Sequence, residues 1–124
     1  MANTKQNTVF TKEHYENEIH LEVNQDVLKR IYSDGIEPTD QLPVNFFFVT
    51  DTEDKATLFR DYLCGNYPQY TEIEVWDYDE HFEIRGFSSP VLMEIEAINQ
   101  WNQIMWDAGY QYDCILDGWE VEGR

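Results

Sequence analysis

Positive charge is scarce in this chain. Eight lysines and arginines stand against 25 aspartates and glutamates, for a formal net charge of −17 and a pI near 4.2. A surface of that sign repels phosphate backbones and anionic membranes, so direct binding to nucleic acid or to a membrane is disfavoured. Cysteine is nearly missing as well. Cys64 and Cys114 show no Cys-x₂-Cys spacing, so they make no disulfide framework, and a reducing cytoplasm is the expected setting. Cys64 closes a helix-like stretch and Cys114 lies in a strand-like one, so both are expected to be small buried apolar residues. No run approaches the roughly 18 apolar residues of a membrane span, and "MANTKQNTVF" lacks the apolar region of a signal peptide. The chain reads as soluble and unexported.

The signatures of catalysis and metal binding are also lacking. His14, His20 and His81 are far apart, and the acidic runs lack an EF-hand's order of ligands and glycine. "RGFSSP" is no Gly-x-Ser-x-Gly elbow, no glycine-rich phosphate loop occurs, and neither cysteine has a basic neighbour in sequence. Carboxylates do fall close together, as Glu72 with Glu74 and Asp113 with Asp117. General acid–base work needs two carboxylates in different environments, one of them desolvated. Acids recurring along a strand are what a solvated face produces. No catalytic residue, metal ligand or cofactor is assigned, and a non-enzyme is expected.

What the chain does have is apolar material: 42% of its 124 residues, with 15% aromatic. That is enough for one domain with its own core. Residues 1–14 are polar and without period, and read as a flexible tail before a single domain over 15–124. "NQDVLKRIYSDG" reads as a helix with Asn24 as its cap, Val27, Leu28 and Ile31 on one face, and Gly35 as its left-handed stop. Tyr15, Ile19 and Val23 allow the helix to extend backwards. "IEPTDQLP" is a loop. "VNFFFVT" (Val44–Thr50) is apolar on both faces, which marks a central strand. Thr50 or Asp51 caps the next helix, with Ala56, Phe59 and Leu63 as its buried stripe and Gly65-Asn66 as its stop.

"TEIEVWDY" and "HFEIRGF" alternate as the strands of a hairpin. Ile73 and Val75 face one way and Glu72, Glu74, Trp76 and Tyr78 the other; Phe82 and Ile84 oppose His81, Glu83 and Arg85. Ser89 caps a second long helix with Pro90 at its first position. Leu92, Ile95, Ile98, Trp101 and Met105 form its stripe and Gly109 ends it, with Trp101 and Trp106 as core or boundary residues. "YQYDCILDGWEVE" is the last strand. It carries Asp113, Ile115 and Asp117 on its solvated side, with a bulge or bend at Asp117-Gly118 where glycine can take a positive φ. The order after the first helix is β-α-β-β-α-β. Right-handed crossovers turn that order into an α+β, ferredoxin-like sandwich: a four-stranded antiparallel sheet with two helices on one face and strand order 4-1-3-2.

These elements, with "NQDVLKRIYSDGIEP", "VNFFFVT" running into an acidic-capped helix, and a long helix ending before "YD…DGWEVE", resemble the RraB family of protein regulators (inhibitors) of ribonuclease E. The resemblance covers roughly Asn24 to Glu122. It implies a short N-terminal helix, a ferredoxin-like domain, and a Tyr-Asp-Gly-Trp signature on the last strand. Here either "YD" (Tyr112, Asp113) is split from "GW" (Gly118, Trp119), or Leu116 replaces the tyrosine, as in a divergent member. The resemblance further implies a non-enzymatic protein that binds and inhibits an RNA-degrading machine through protein contacts.

Acids beside aromatic rings suit arginine, through charge-assisted hydrogen bonds and cation–π contacts. The candidate protein-binding residues are therefore Glu72, Glu74, Trp76, Tyr78, Asp117, Trp119 and Glu120. The partner would be a basic protein segment, with ribonuclease E or another nuclease as the candidates. The plainer reading is that Trp76 and Tyr78 pack under the N-terminal helix or pair across strands. An immunity protein or nucleic-acid mimic that neutralises a basic toxin nuclease is the alternative function. An enzyme would need a deep pocket with converging acids. The sequence does not set the oligomeric state.

Overall fold

The computed structural model describes residues 7–17 and 19–122. In chain order these form α1 (Lys12–Asn17), α2 (Val23–Ser33), β1 (Gln41–Leu42), β2 (Asn45–Thr50), α3 (Glu53–Asn66), β3 (Thr71–Asp77), β4 (Phe82–Phe87), β5 (Val91–Leu92), α4 (Ile95–Gln111) and β6 (Ile115–Glu120). The main sheet has four strands in the order β3-β4-β2-β6, antiparallel at every pairing, and β1 pairs with β5 in a separate two-stranded ribbon. No helix among the described residues is long and apolar enough to cross a membrane.

Strand β2 is central, as its apolar run requires. Its residues alternate: Phe46, Phe48 and Thr50 are buried, whereas Asn45, Phe47 and Val49 are half-buried. Both long helices lie on the Phe46–Phe48 side. Phe48 meets Phe59 of α3 at 4.6 Å between ring centroids, and Phe46 meets Trp101 of α4 at 6.4 Å. Ala56, Phe59 and Leu63 of α3 are fully buried, and so are Ile98 and Met105 of α4. The opposite sheet face carries no helix from this set.

Caps moved where a side chain found other work. Asn24 does not cap α2, which begins after Glu22 without a side-chain cap bond. Asn24 is buried inside the helix, donating to Asn99 Oδ1 at 2.8 Å and accepting from Trp119 Nε1 at 3.0 Å. The helix does not run back to Tyr15 either: α1 is a separate turn and a half. Gly35 does take the left-handed conformation, with φ at 98°. The α3 cap is Thr52, whose side chain accepts from the Lys55 N–H, one or two residues beyond the expected Thr50 or Asp51. Helix α4 starts later than expected. Val91 and Leu92 pair with β1, and Glu94 caps instead of Ser89, so Leu92 lies outside the helical stripe. Ser88 is committed elsewhere, accepting the Val44 N–H at 3.0 Å. Cys64 is exposed rather than buried, on the outer side of α3; Cys114 is buried, and burial pushes its thiol up to about 12.

The N-terminal segment departs furthest from expectation. Of the stretch read as a flexible tail, residues 7–14 pack against the body. Phe10 has no exposed surface and sits in edge contact with His14, Trp106 and Tyr110, each at 5.3 Å. Tyr15 donates to Asp107 of α4 at 2.5 Å. The same end of α4 shows a second close approach. Gly109 is buried inside the helix rather than ending it, and a Cβ there would lie 2.3 Å from the Cys114 carbonyl oxygen. Gly109→Ala is therefore expected to destabilise the protein by about 2–3 kcal/mol through forced displacement of backbone. Gly65→Ala, in the exposed last turn of α3 with nothing within 4 Å, should be neutral or stabilising by up to about 1 kcal/mol. Urea unfolding of the two variants checks the contrast.

Candidate functional site

The open sheet face is assembled from residues opposite one another across the strands. Antiparallel register puts Glu74, Arg85, Phe47 and Gly118 in one row, and Trp76, Glu83, Val49 and Ile115 in the next. Side chains directly opposite share a face. Arg85 is the centre of this arrangement. Its guanidinium carbon lies 4.4 Å from the Trp76 ring centroid and 5.5 Å from that of Phe47. Its Nε donates to Glu83 Oε1 at 2.9 Å, one terminal nitrogen makes a very short bond to the same oxygen, and that nitrogen also donates to Tyr78 Oη at 2.9 Å. Trp76 Nε1 in turn donates to Glu74 Oε1 at 3.0 Å. The Glu83 carboxylate raises the Arg85 pKa, against the lowering effect of its partial burial.

Three of the expected binding residues, Glu74, Trp76 and Tyr78, thus meet around a cation of the chain's own. Trp76 and Tyr78 remain about two-fifths exposed, and Tyr78 stacks on His81 at 5.2 Å. Glu72 leaves the alternation. Its φ is 55°, and the β3–β4 register shifts between Thr71 and Glu74. Asp117 and Glu120 lie on β6, three strand spacings or roughly 14 Å from β3. Glu120 accepts from Asn45 at 3.4 Å.

The bulge expected near Asp117-Gly118 is present: Phe47 pairs with Gly118 and Phe48 with Leu116, so Asp117 is passed over. Gly118 is not among the positive-φ glycines, so the bulge needs no left-handed residue. Its effect is on Trp119. With strict alternation Leu116 inward would leave Trp119 outward; the extra residue turns Trp119 inward, opposite Phe46. There its indole N–H reaches Asn24. Trp119 belongs to the core side rather than to the open face.

A second polar assembly lies where α4 turns into β6, and the sequence reading missed it. Asp113, expected on the solvated side of the last strand, has no exposed surface and a φ of 59°. Its carboxylate accepts the backbone N–H groups of Thr8, Val9 and Phe10 at 2.9, 2.9 and 2.6 Å. Lys55 Nζ donates to it at 2.6 Å, and also to Asp51 at 2.8 Å and Thr8 Oγ1 at 2.9 Å. Thr50 Oγ1 donates to the Asp113 carbonyl at 2.8 Å. Burial alone would raise the Asp113 carboxyl, but Lys55 and the backbone donors hold it below the ordinary range. Lys55 holds Asp51 down too. Desolvation would lower Lys55, yet the two carboxylates raise it. The one signal in sequence was Asp113 itself, an acid where the last helix gives way to the last strand. Among the described residues no group of three or more His, Cys, Asp or Glu side chains is placed to hold a metal ion.

Losing the Asp113–Lys55 pair leaves a buried charge alone, a change that typically costs about 3–5 kcal/mol. Lys55→Met is expected to lose stability on that scale and to speed amide exchange at Thr8, Val9 and Phe10, measured by hydrogen–deuterium exchange. The pH dependence follows from the shifts. Asp51 and Asp113 sit below their unfolded value of about 3.9. Their stabilisation is therefore complete above that pH and is lost as pH falls through the lowered folded values. The Lys55 contribution is complete below the unfolded lysine value of about 10.4 and is lost as pH rises through its raised folded value. Urea midpoints measured across pH for wild type and Lys55→Met should converge at both extremes.

No curated protein matches the chain. A family model described as "Regulator of ribonuclease activity B" matches residues 21–121, which takes in α2, both long helices and the whole four-stranded sheet. The chain belongs to the RraB family of regulators of ribonuclease activity.

Proposed function

We propose that this protein is a non-enzymatic, cytoplasmic regulator that binds a basic segment of ribonuclease E and hinders its action on RNA. The family match over residues 21–121 carries this reading. The charge of −17 supports the electrostatic part of it. Such a surface steers a basic segment towards itself, and speeds capture more than it deepens affinity. The strand order β3-β4-β2-β6, with α3 and α4 on one face, supports classing the domain as ferredoxin-like.

The open sheet face is the surface proposed for contact. Of the carboxylates that fall close together in sequence, Glu74 accepts from Trp76 and Asp113 is sealed under the N-terminal segment. Asp113, held below the ordinary carboxylate range by Lys55 and the backbone donors, is not the raised carboxyl that general acid catalysis favours.

Binding of the purified protein to ribonuclease E, followed by calorimetry, tests the proposal. The screening length falls from roughly 30 Å at 0.01 M salt to about 8 Å at 0.15 M. Affinity is expected to fall at least about tenfold over that range, with RNA cleavage inhibited in proportion to occupancy. An affinity indifferent to salt would sink the electrostatic mechanism. No complex with ribonuclease E, but a tight one-to-one complex with a basic toxin nuclease, would replace the reading with that of an immunity protein.

A further inference from the structure

At the end of the open face, next to the Arg85 cluster, the surface sinks into a hollow of about 360 Å³ lined by Val9, Val49, Thr50, Asp51, His81 and Asp117. The residues come from four places in the chain. Val49 and Thr50 end β2, Asp51 follows them, His81 leads into β4, and Asp117 is the bulge residue of β6. Val9 closes the side, held there by its own N–H bond to Asp113. Val9 lies outside the span matched by the family model, so the completed hollow does not follow from family membership.

We infer that this hollow is the seat for a single arginine or lysine side chain of the basic partner, with Asp117 receiving the cationic head and Val9 and Val49 flanking its methylenes. The inference rests on the regulator reading for the identity of the partner, and on the hollow itself for the chemistry. The charge balance around the site is negative. Asp51, Asp113 and Asp117 supply three carboxylates against the one ammonium of Lys55. Two of those carboxylates are already engaged. Both Asp51 oxygens are taken, by Lys55 and by Thr8, and Asp113 is buried. Asp117 is exposed, and among the described residues no hydrogen bond or ion pair engages its side chain.

The neighbouring cluster shows what this sheet face does with a guanidinium. Arg85 lies over an aromatic ring with its nitrogens on a carboxylate. That seat is filled by the chain itself. The hollow offers two of the same ingredients, an apolar wall at Val9 and Val49 and a carboxylate at Asp117, with the cation left to come from outside.

The test uses the whole chain, labelled with nitrogen-15, and N-acetyl-argininamide as probe. Saturable shifts in the millimolar range are expected at the amides of Val9, Val49 and Asp117 and their neighbours. N-acetyl-norleucinamide should produce none. Asp117→Asn, an exposed substitution that keeps the dispersed spectrum, should weaken the probe at least fivefold. Shifts spread across the acidic surface, or unchanged by Asp117→Asn, overturn the site. Binding to ribonuclease E then separates the two levels. Asp117→Asn should weaken it at least fivefold, whereas Glu37→Gln, on an exposed loop, should leave it unchanged. If wild type and Asp117→Asn bind ribonuclease E equally, the hollow is wrong and the regulator reading stands. If ribonuclease E is not bound while the probe saturates the hollow, the regulator reading fails and the site stands.

Discussion

A buried carboxylate can stay charged only if the protein surrounds it with donors, and Asp113 meets that condition with Lys55 and three consecutive backbone N–H groups. Four parts of the chain answer to this one group. The N-terminal segment gives up its amides to it, α3 sends Lys55, and β2 ties Thr50 to its carbonyl. The α4–β6 turn places the residue itself in the left-handed region. Once that position is set, Phe10 is carried into the cleft beside Trp106 and Tyr110, and Val9 is carried to the rim of the open sheet face. The stability of one end of the domain and the shape of its exposed face therefore share a cause.

The acidic surface is not uniform in what it offers. Arg85 turns the Glu74, Trp76 and Tyr78 neighbourhood into a closed set of contacts, satisfied before any partner arrives. A partner approaching there would have to displace a guanidinium already bonded to Glu83. At Asp117 no such displacement is needed.

Much of the fold was legible because its signals are local and periodic. The two-sided apolar run of β2, the alternation of β4 and the Ala56-Phe59-Leu63 stripe each follow from burial of apolar side chains at a fixed period. The features that escaped depend on partners distant in sequence. Asn24 has the composition of a cap, yet Asn99 and Trp119 lie 75 and 95 residues away. Leu92 has helical spacing with Ile95, yet β1 claimed it, with Val91, for a ribbon. Asp113 looked solvated because its donors are more than a hundred positions upstream or on α3. For the candidate site, alternation did place Arg85 with the polar side chains. Only the cross-strand packing showed that Arg85 lies over Trp76 with its nitrogens on Glu83.

The bonds from Thr8, Val9 and Phe10 to Asp113 span 103 to 105 positions, and that span orders events during synthesis. The segment that seals the domain is made early, but its anchor appears only when β6 is about to leave the ribosome. Until then Phe10 has no cleft and Lys55 lacks its buried counter-ion. At a synthesis rate of roughly 5–20 residues per second, that interval lasts on the order of 5–20 seconds. Loop closure over such a distance is also entropically late in refolding. A chain cut short before Asp113 would lose β6 from the side of β2 and leave its first segment without a berth, in the form a protease or chaperone could recognise as unfinished.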